Sequence, residues 1–574
     1  MKFITQQNRM DLSVVPQWRC RVSRIAFALS WLLVMPDVAF PEDIAGYATF
    51  SSEDESRQEA IAEEGSQFPY STAFRAEERM FGPSPFAPAV QYNPCVPEEE
   101  ASLACCITEG VLEALAKPAE PLSQALADCL GVAHDEPHTQ LDDHPIGIQP
   151  GVERPPLLIE AGERFLDIGF LSQGVRIGTG AVWRPALWVF GTYRTGMNYF
   201  DSGAPGHVGE WANRLDLFSQ LNLSGTERIV LGLRPFDEER NSVRNFSGYD
   251  FDRSRHLDGL NGDIQTLFFE GDFGEIFPDL DPYDTGALDY GFSIGRQPMS
   301  FQQGLLLNED RIDALTMTRN TLNGSGNLNL RATAVYAWND INRNNLAGNN
   351  LRDSDGQLVG LFTESDFRDS TVNADVAYVW SDNGVDDLLV AGLSAIRRIS
   401  GFENTYNSSL HILASFPTNG ETNLAGQGEL LFSQLSWTPH HTHDLIFLNS
   451  FWAIDQFTSA SRGTLAGGPL GQTGLLFSAA GLGRYGAPLG NQASNVAGAS
   501  LGYQMFFDHT HQQVVFEVGG RQDTDQTDQA AIAAGVRYQK KLDEHWIVVV
   551  DGFVAKQEGR DVGQGGRVEF QMKF

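Results

Sequence analysis

From about residue 185 onward the chain is written in segments of roughly 9 to 13 residues in which apolar and polar side chains alternate, a length that suits a tilted strand crossing a bilayer. Alternation with period two puts one set of side chains on each face of an extended strand. Within 211–223, Leu215, Leu217, Leu221 and Leu223 make an apolar face, and Arg214, Asp216, Gln220 and Asn222 make the other. Ile229, Leu231 and Leu233 repeat the pattern against Arg228 and Arg234. Leu328, Leu330, Ala332, Ala334, Tyr336 and Trp338 do so against Asn329, Arg331 and Thr333, and Trp546, Val548, Val550 and Val554 line one face of a later strand. Trp338 ends its stripe, where a membrane-interface girdle needs an aromatic.

On this pattern strands are expected at 185–197, 211–223, 228–235, 263–274, 289–297, 312–320, 327–338, 371–380, 388–396, 427–438, 444–455, 496–507, 513–520, 531–539, 545–555 and 566–574. Connections after even strands (224–227, 275–288, 321–326, 381–387, 439–443, 508–512 and 540–544) are mostly short, and those after odd strands are longer, with the longest near 456–493. Such parity suits a barrel with short turns at one membrane face and long loops at the other. The expected fold is therefore all-β: a transmembrane antiparallel β-barrel of about 16 strands (16–18), the only way a sheet satisfies its backbone in lipid. On this count 409–416 must be loop despite its strand-like look, and 165–171 is available for an additional pair.

Two features point to export. Arg19, Arg21 and Arg24 precede the apolar run Ile25–Met35, which Pro36 follows, so residues 1–40 read as a secretion signal. At the other end Val568, Phe570, Met572 and Phe574 alternate with Arg567, Glu569, Gln571 and Lys573. That pattern resembles the C-terminal signal by which the barrel assembly machinery recognises its clients, and it implies the outer membrane and its lipid as surroundings.

Between signal and barrel, residues 41–155 carry 22 acidic against 5 basic side chains, half of the formal net charge of −34. The stretch up to Pro94 is polar and proline-rich and reads as a loose leader. Beyond it, 101–115 and 122–132 have helical spacing, broken by Pro118 and Pro121, with Cys95, Cys105, Cys106 and Cys129 around them. In an oxidising periplasm these could close two disulfides in an undetermined pairing, with a metal site as the alternative. Residues 41–155 are thus expected to be a small, partly helical periplasmic extension and 156–574 the barrel.

The stretches Arg214–Phe218, Glu227–Pro235, Ile294–Phe301 and Asp310–Asp313 resemble the alginate-export family of outer-membrane porins, in which a Gly-Arg-Gln strand leads through a loop into a strand with Arg and Asp. The match covers 210–320 and departs at Gln302-Gln303-Gly304-Leu305, where the family has a Tyr-Gly-like turn. It implies an electropositive pore for an anionic polysaccharide.

A charge on the lipid face near the midplane costs roughly 2–4 kcal/mol, so charged strand residues belong inside. Parity assigns Arg214, Arg228, Arg234, Arg331, Arg537 and Arg567 to the lumen, with Asp216, Asp375, Glu517, Asp551 and Glu569. Mutual salt bridges are the plain reading, and a basic strip of Arg214, Arg228 and Arg234 that attracts anions is the sharper one. Phe301, Gln302, Gln303, Glu309 and Asp310 fall in the loop 298–310, which is apolar enough to fold inward as a constriction; an ordinary external loop is the equal alternative. His440, His441, His443, His509 and His511 gather in neighbouring turns and are weak candidates for a metal. No HExxH motif and no Walker loop is present, the acidic total disfavours nucleic acid, and no cofactor is implied. The expected function is an outer-membrane channel for small polar or anionic solutes, possibly an oligo- or polysaccharide. The alternative is a structural or adhesive barrel whose external loops bind a partner.

Overall fold

The computed structural model describes residues 155–574 apart from 166–170, 238–245, 258, 284, 323–325, 340, 345–349, 382–386, 402–403, 421, 423, 441, 464, 509 and 526–529. The expected signal, the acidic region and its cysteines therefore lie outside the described residues.

Among the described residues, eighteen strands make the wall. In chain order they are β1 (Ala186–Asp201), β2 (His207–Asn222), β3 (Arg228–Leu233), β4 (Ile264–Asp272), β5 (Tyr290–Phe301), β6 (Leu307–Arg319), β7 (Asn329–Trp338), β8 (Gly356–Asp366) and β9 (Ser370–Ser381). The second half comprises β10 (Leu388–Gly401), β11 (Asn404–Pro417), β12 (Gly428–Trp437), β13 (Leu445–Gln456), β14 (Ser494–Phe507), β15 (Gln512–Asp523), β16 (Ala531–Lys541), β17 (Trp546–Gln557) and β18 (Val562–Lys573). Wall neighbours are antiparallel, and β18 returns to β1 with Gln564 opposite Asp201 and Lys573 opposite Thr192. Closure leaves the wall no free edge to satisfy in lipid.

The alternation becomes two faces. On β2, Glu210, Ala212, Arg214, Asp216 and Gln220 point inward and are buried, while Trp211 points outward and is exposed. The outer face carries a belt of exposed apolar side chains, among them Leu267, Ile294, Leu361, Leu393, Leu501 and Ile532. Trp211, Trp338, Trp380 and Trp452 stand toward one end of their strands; Tyr290, Trp437, Trp546 and Phe570 stand toward the other. An apolar belt between two aromatic girdles is what lipid and its two interfaces select.

The rim that holds Phe574 carries the short connections 223–227, 367–369 and 542–545, and the opposite rim carries 234–263, 339–355 and 457–493. Two wall strands depart from the expected set. Residues 409–416, expected as loop, belong to β11, and β8 was not expected at all. Because one error precedes β9 and β10 and the other follows them, those two strands were oriented upside down. The link from Ser381 to Leu388 consequently lies at the long-loop rim instead of the short-turn rim. Of the segment 165–171, available for an additional pair, the described members Phe165 and Leu171 are outside any strand.

Candidate functional site: the barrel interior

Charged side chains meet in a series around the inner wall from β16 to the residues just beyond β3. Arg537 pairs with Asp551 at 2.7 Å, and the same carboxyl takes Arg567 at 2.5 Å. Arg567 also reaches Glu569 at 2.5 Å, and Glu569 pairs with Arg194 at 2.6 Å. Directly across β1 and β2, Arg194 stands opposite Arg214, which pairs with Asp216 at 2.6 Å. Asp216 also takes Arg234 at 2.7 Å, and Arg234 continues to Asp310 at 3.4 Å. Burying a charge is costly unless it is paired, and here every arginine faces at least one carboxylate. Away from this series, Arg228 pairs with Glu270, and Arg331 pairs with Glu364 at 2.8 Å.

All eleven residues assigned to the lumen by parity project inward. Asp375 stands apart from the arginines, its carboxylate accepting from the Thr363 backbone at 2.8 Å. Glu517 accepts from the Leu475 and Leu476 amides at 2.7 and 3.1 Å, so it holds a loop. The supposed basic strip is compensated: each of Arg214, Arg228 and Arg234 has an acidic partner. Arg194 and Glu210 were missed, although both share the inward parity of their strands.

Two insertions fill part of the interior. Between β5 and β6, residues 302–306 turn inward. Phe301 stacks on Phe362 of β8 with centroids 3.5 Å apart and planes 7° apart, and the Gln302 amide meets His411 Nδ1 of β11 at 3.0 Å. Gly392 on β10 leaves room for this turn, since a Cβ there would stand 3.2 Å from Gln302 and Leu306 side-chain atoms. Of the five residues expected in the constriction, only Gln302 and Gln303 are in the turn; Phe301 ends β5, and Glu309 and Asp310 lie on β6. Both strands extend beyond the expected 289–297 and 312–320 toward the turn.

The larger insertion is 457–493. Ser461 and Arg462 run parallel beside Leu307 and Asn308. Arg462 is buried and donates to four carbonyls, those of Gly304, Ala466, Gly467 and Gly468. Burial lowers its guanidinium to about 10, against the nearby Glu309 carboxylate, so it remains a cation at neutral pH. Further on, Asn449 and Ser500 both donate to the Thr473 carbonyl, at 2.8 and 2.9 Å. Leu470, Leu476, Phe477 and Leu489 pack with Leu305, Leu306 and the inward Leu358, Phe362, Leu413, Phe432 and Phe451 in one apolar cluster. The interior therefore has a packed part beside the ion-paired wall.

The motif Ile294–Phe301 and its partner Asp310–Asp313 are paired neighbours. Arg296 donates twice to Asp313, at 2.9 and 3.0 Å, and Gln297 donates to the Ala314 carbonyl at 3.2 Å. Arg296 shares the outward parity of Ile294, so its bond braces the wall from outside. Gly498-Ala-Ser500-Leu-Gly502 has the spacing of a nucleophile elbow, but it lies within extended β14 and lacks the strand-to-helix turn that elbow requires.

His440, His443 and His511 are exposed in their turns, while His441 and His509 are outside the described residues. Among the described residues, no three side chains of metal-ligating type come together.

No protein-family model and no curated protein matches this chain. Among solved structures, OccAB3 of Acinetobacter baumannii overlaps 68% of this chain and 99% of its own at 10% identity, with a TM-score of 0.46. The outer-membrane protein opdK of Pseudomonas aeruginosa overlaps 68% and 98% at 10% identity, TM-score 0.45. OccK2 of Pseudomonas aeruginosa, in complex with glucuronate, overlaps 68% and 98% at 9% identity, TM-score 0.45.

Proposed function

We propose that the chain is an outer-membrane channel passing small polar or anionic solutes. The observation that carries the proposal is the pairing of faces on one closed wall: a lipid-compatible belt outside and, inside, two runs of ion pairs that adjoin where Arg194 stands opposite Arg214. Paired guanidinium and carboxylate groups on the inner face of a barrel suit the passage of polar solutes, and arginine forks suit carboxylates and phosphates. On this reading residues 1–40 direct export, and 41–155 lie in the periplasm as an acidic appendage. The barrel machinery and lipid are its assembly partners, and Val568, Phe570, Met572 and Phe574 belong to the assembly signal.

The reading stops short of polysaccharide export. The alginate-export resemblance implies an electropositive pore, whereas Arg228 and Arg234 each face carboxylates. The packed 457–493 insertion favours a second reading, a plugged barrel that serves as a scaffold or adhesin. Single-channel recording in a planar bilayer separates the two. Stepwise, solute-dependent conductance supports the channel, and a silent, correctly folded protein overturns it in favour of the scaffold.

A further inference from the structure

Arginine donors on the inner wall are spent on the chain's own neutral carbonyls. Arg194 Nη2 donates to the Ala480 carbonyl at 3.2 Å, and Arg567 Nη1 lies 3.5 Å from the same oxygen. Arg214 Nη1 donates to the Gly481 carbonyl at 3.1 Å, and Asn198 Nδ2 to the Leu482 carbonyl at 3.1 Å. Three cationic forks and an amide thus converge, from β18, β1 and β2, on three successive oxygens of one loop segment. A hydrogen bond from a guanidinium to a carboxylate is roughly twice as strong as one between neutral groups, and it can be bidentate. A carbonyl row is a weaker occupant of such a site than a carboxylate would be.

The same segment is held strongly only at its ends. On one side the Leu475 and Leu476 amides donate to Glu517. On the other, Arg484 pairs with Glu210 at 2.7 Å and with Asp250 at 3.0 Å. The span 477–483 between these anchors includes Ser478, Ala479, Ala480, Gly481 and Gly483, with Gly481 at φ 68° and Gly483 at φ 72°. A Cβ at Gly483 would stand 2.2 Å from Glu210 Oε1, so the segment lies on the wall only because that residue is glycine. Two apolar contacts pin it: Phe477, at its start, is buried edge-on against Phe451 in the main interior cluster, and Leu482 is buried against Ala212, Phe246 and Leu257.

We infer that 477–483 is a displaceable strap over a carboxylate-binding site formed by Arg194, Arg214 and Arg567. A carboxylate entering the lumen takes the donors now given to Ala480 and Gly481, and the strap lifts between its two fixed anchors. The wall ion pairs stay in place, since the solute exchanges only for the carbonyls. This inference rests on the channel reading and adds to it a ligand class and a moving part.

The test uses full-length Leu482→Cys in vesicles, with a thiol reagent and mass-spectrometric readout at residue 482. The native cysteines all precede residue 130 and report in separate peptides. Sodium gluconate should accelerate labelling about fivefold or more over sodium chloride of equal ionic strength, the size of a typical coupling between sites. The neutral sugar glucose should not. Equal rates in gluconate and chloride overturn the strap. Ala212→Cys reports the same uncovering from the wall, and hydrogen exchange of 477–483 in the unmodified chain gives the answer if either variant fails to fold. Conductance is recorded in parallel: a conducting protein with gluconate-insensitive labelling overturns the strap alone, and a silent protein with gluconate-accelerated labelling overturns the channel reading alone.

Discussion

Asp216 and Arg234 meet at 2.7 Å across the turn from β2 to β3, while the other oxygen of the same carboxylate lies 2.6 Å from Arg214. One acid therefore compensates two cations. Asp216→Asn should leave an excess of positive charge on this part of the wall and move the reversal potential in a salt gradient toward anions. The shift should shrink at about 0.15 M salt, where the Debye length is near 8 Å. Arg228→Glu with Arg234→Glu should move it the other way. Unchanged potentials at low salt in both variants would mean that these pairs only brace the wall.

Glu517 fixes the inner end of the large insertion through two backbone amides. Glu517→Ala removes both acceptors and leaves the turn to Asn449 and Ser500. Unit conductance should rise, with more frequent current fluctuations. A variant with the conductance and noise of the parent would show that the two bonds to the Thr473 carbonyl suffice.

Phe570 stands exposed on the outer face of β18, opposite Val548 of β17 and Thr195 of β1. Because Phe570 stands in the girdle, Phe570→Arg should destabilise the barrel in vesicles by only about 0–1 kcal/mol, and a loss of about 2–4 kcal/mol would place it near the midplane instead. Phe570→Leu should cost little. Urea titration of the two variants measures the difference and with it the depth of the residue.

A closed barrel of this kind should fractionate with the outer membrane and migrate faster on gels before heating than after. Migration that does not change on boiling would count against a closed wall in the isolated protein.

Most of the wall was legible because lipid outside and polar groups inside force period two, as on β2 and β17. The pattern fails where the interior is also apolar. On β8, Leu358 and Phe362 point inward into the packed cluster, while Val359 and Leu361 point outward into the belt. With both faces apolar, alternation disappears and only length and β-branching remain as signals. β11 does look like a strand, and it is the count made without β8 that turns 409–416 into loop. The inward charges were readable from parity alone. Their partners were not: Arg194–Glu569 and Arg484–Glu210 join residues far apart in the chain, and no local spacing encodes them. The strap was hidden for a related reason, since a run of small residues and glycines reads as an ordinary external loop.

The seam between β18 and β1 has a consequence for how the molecule is made. It brings together strands from the two ends of the wall, and its buried pair, Arg194 with Glu569, spans 375 positions. Contacts of such separation form late, because the intervening chain must first lose most of its freedom. Until then both charges remain hydrated and both terminal strands expose bare ladder groups. Joining the seam therefore settles hydrogen bonds, charge pairing and the enclosed insertion in a single step. A chain stalled just before that step would be an open sheet with two adhesive margins, ready to pair with other chains.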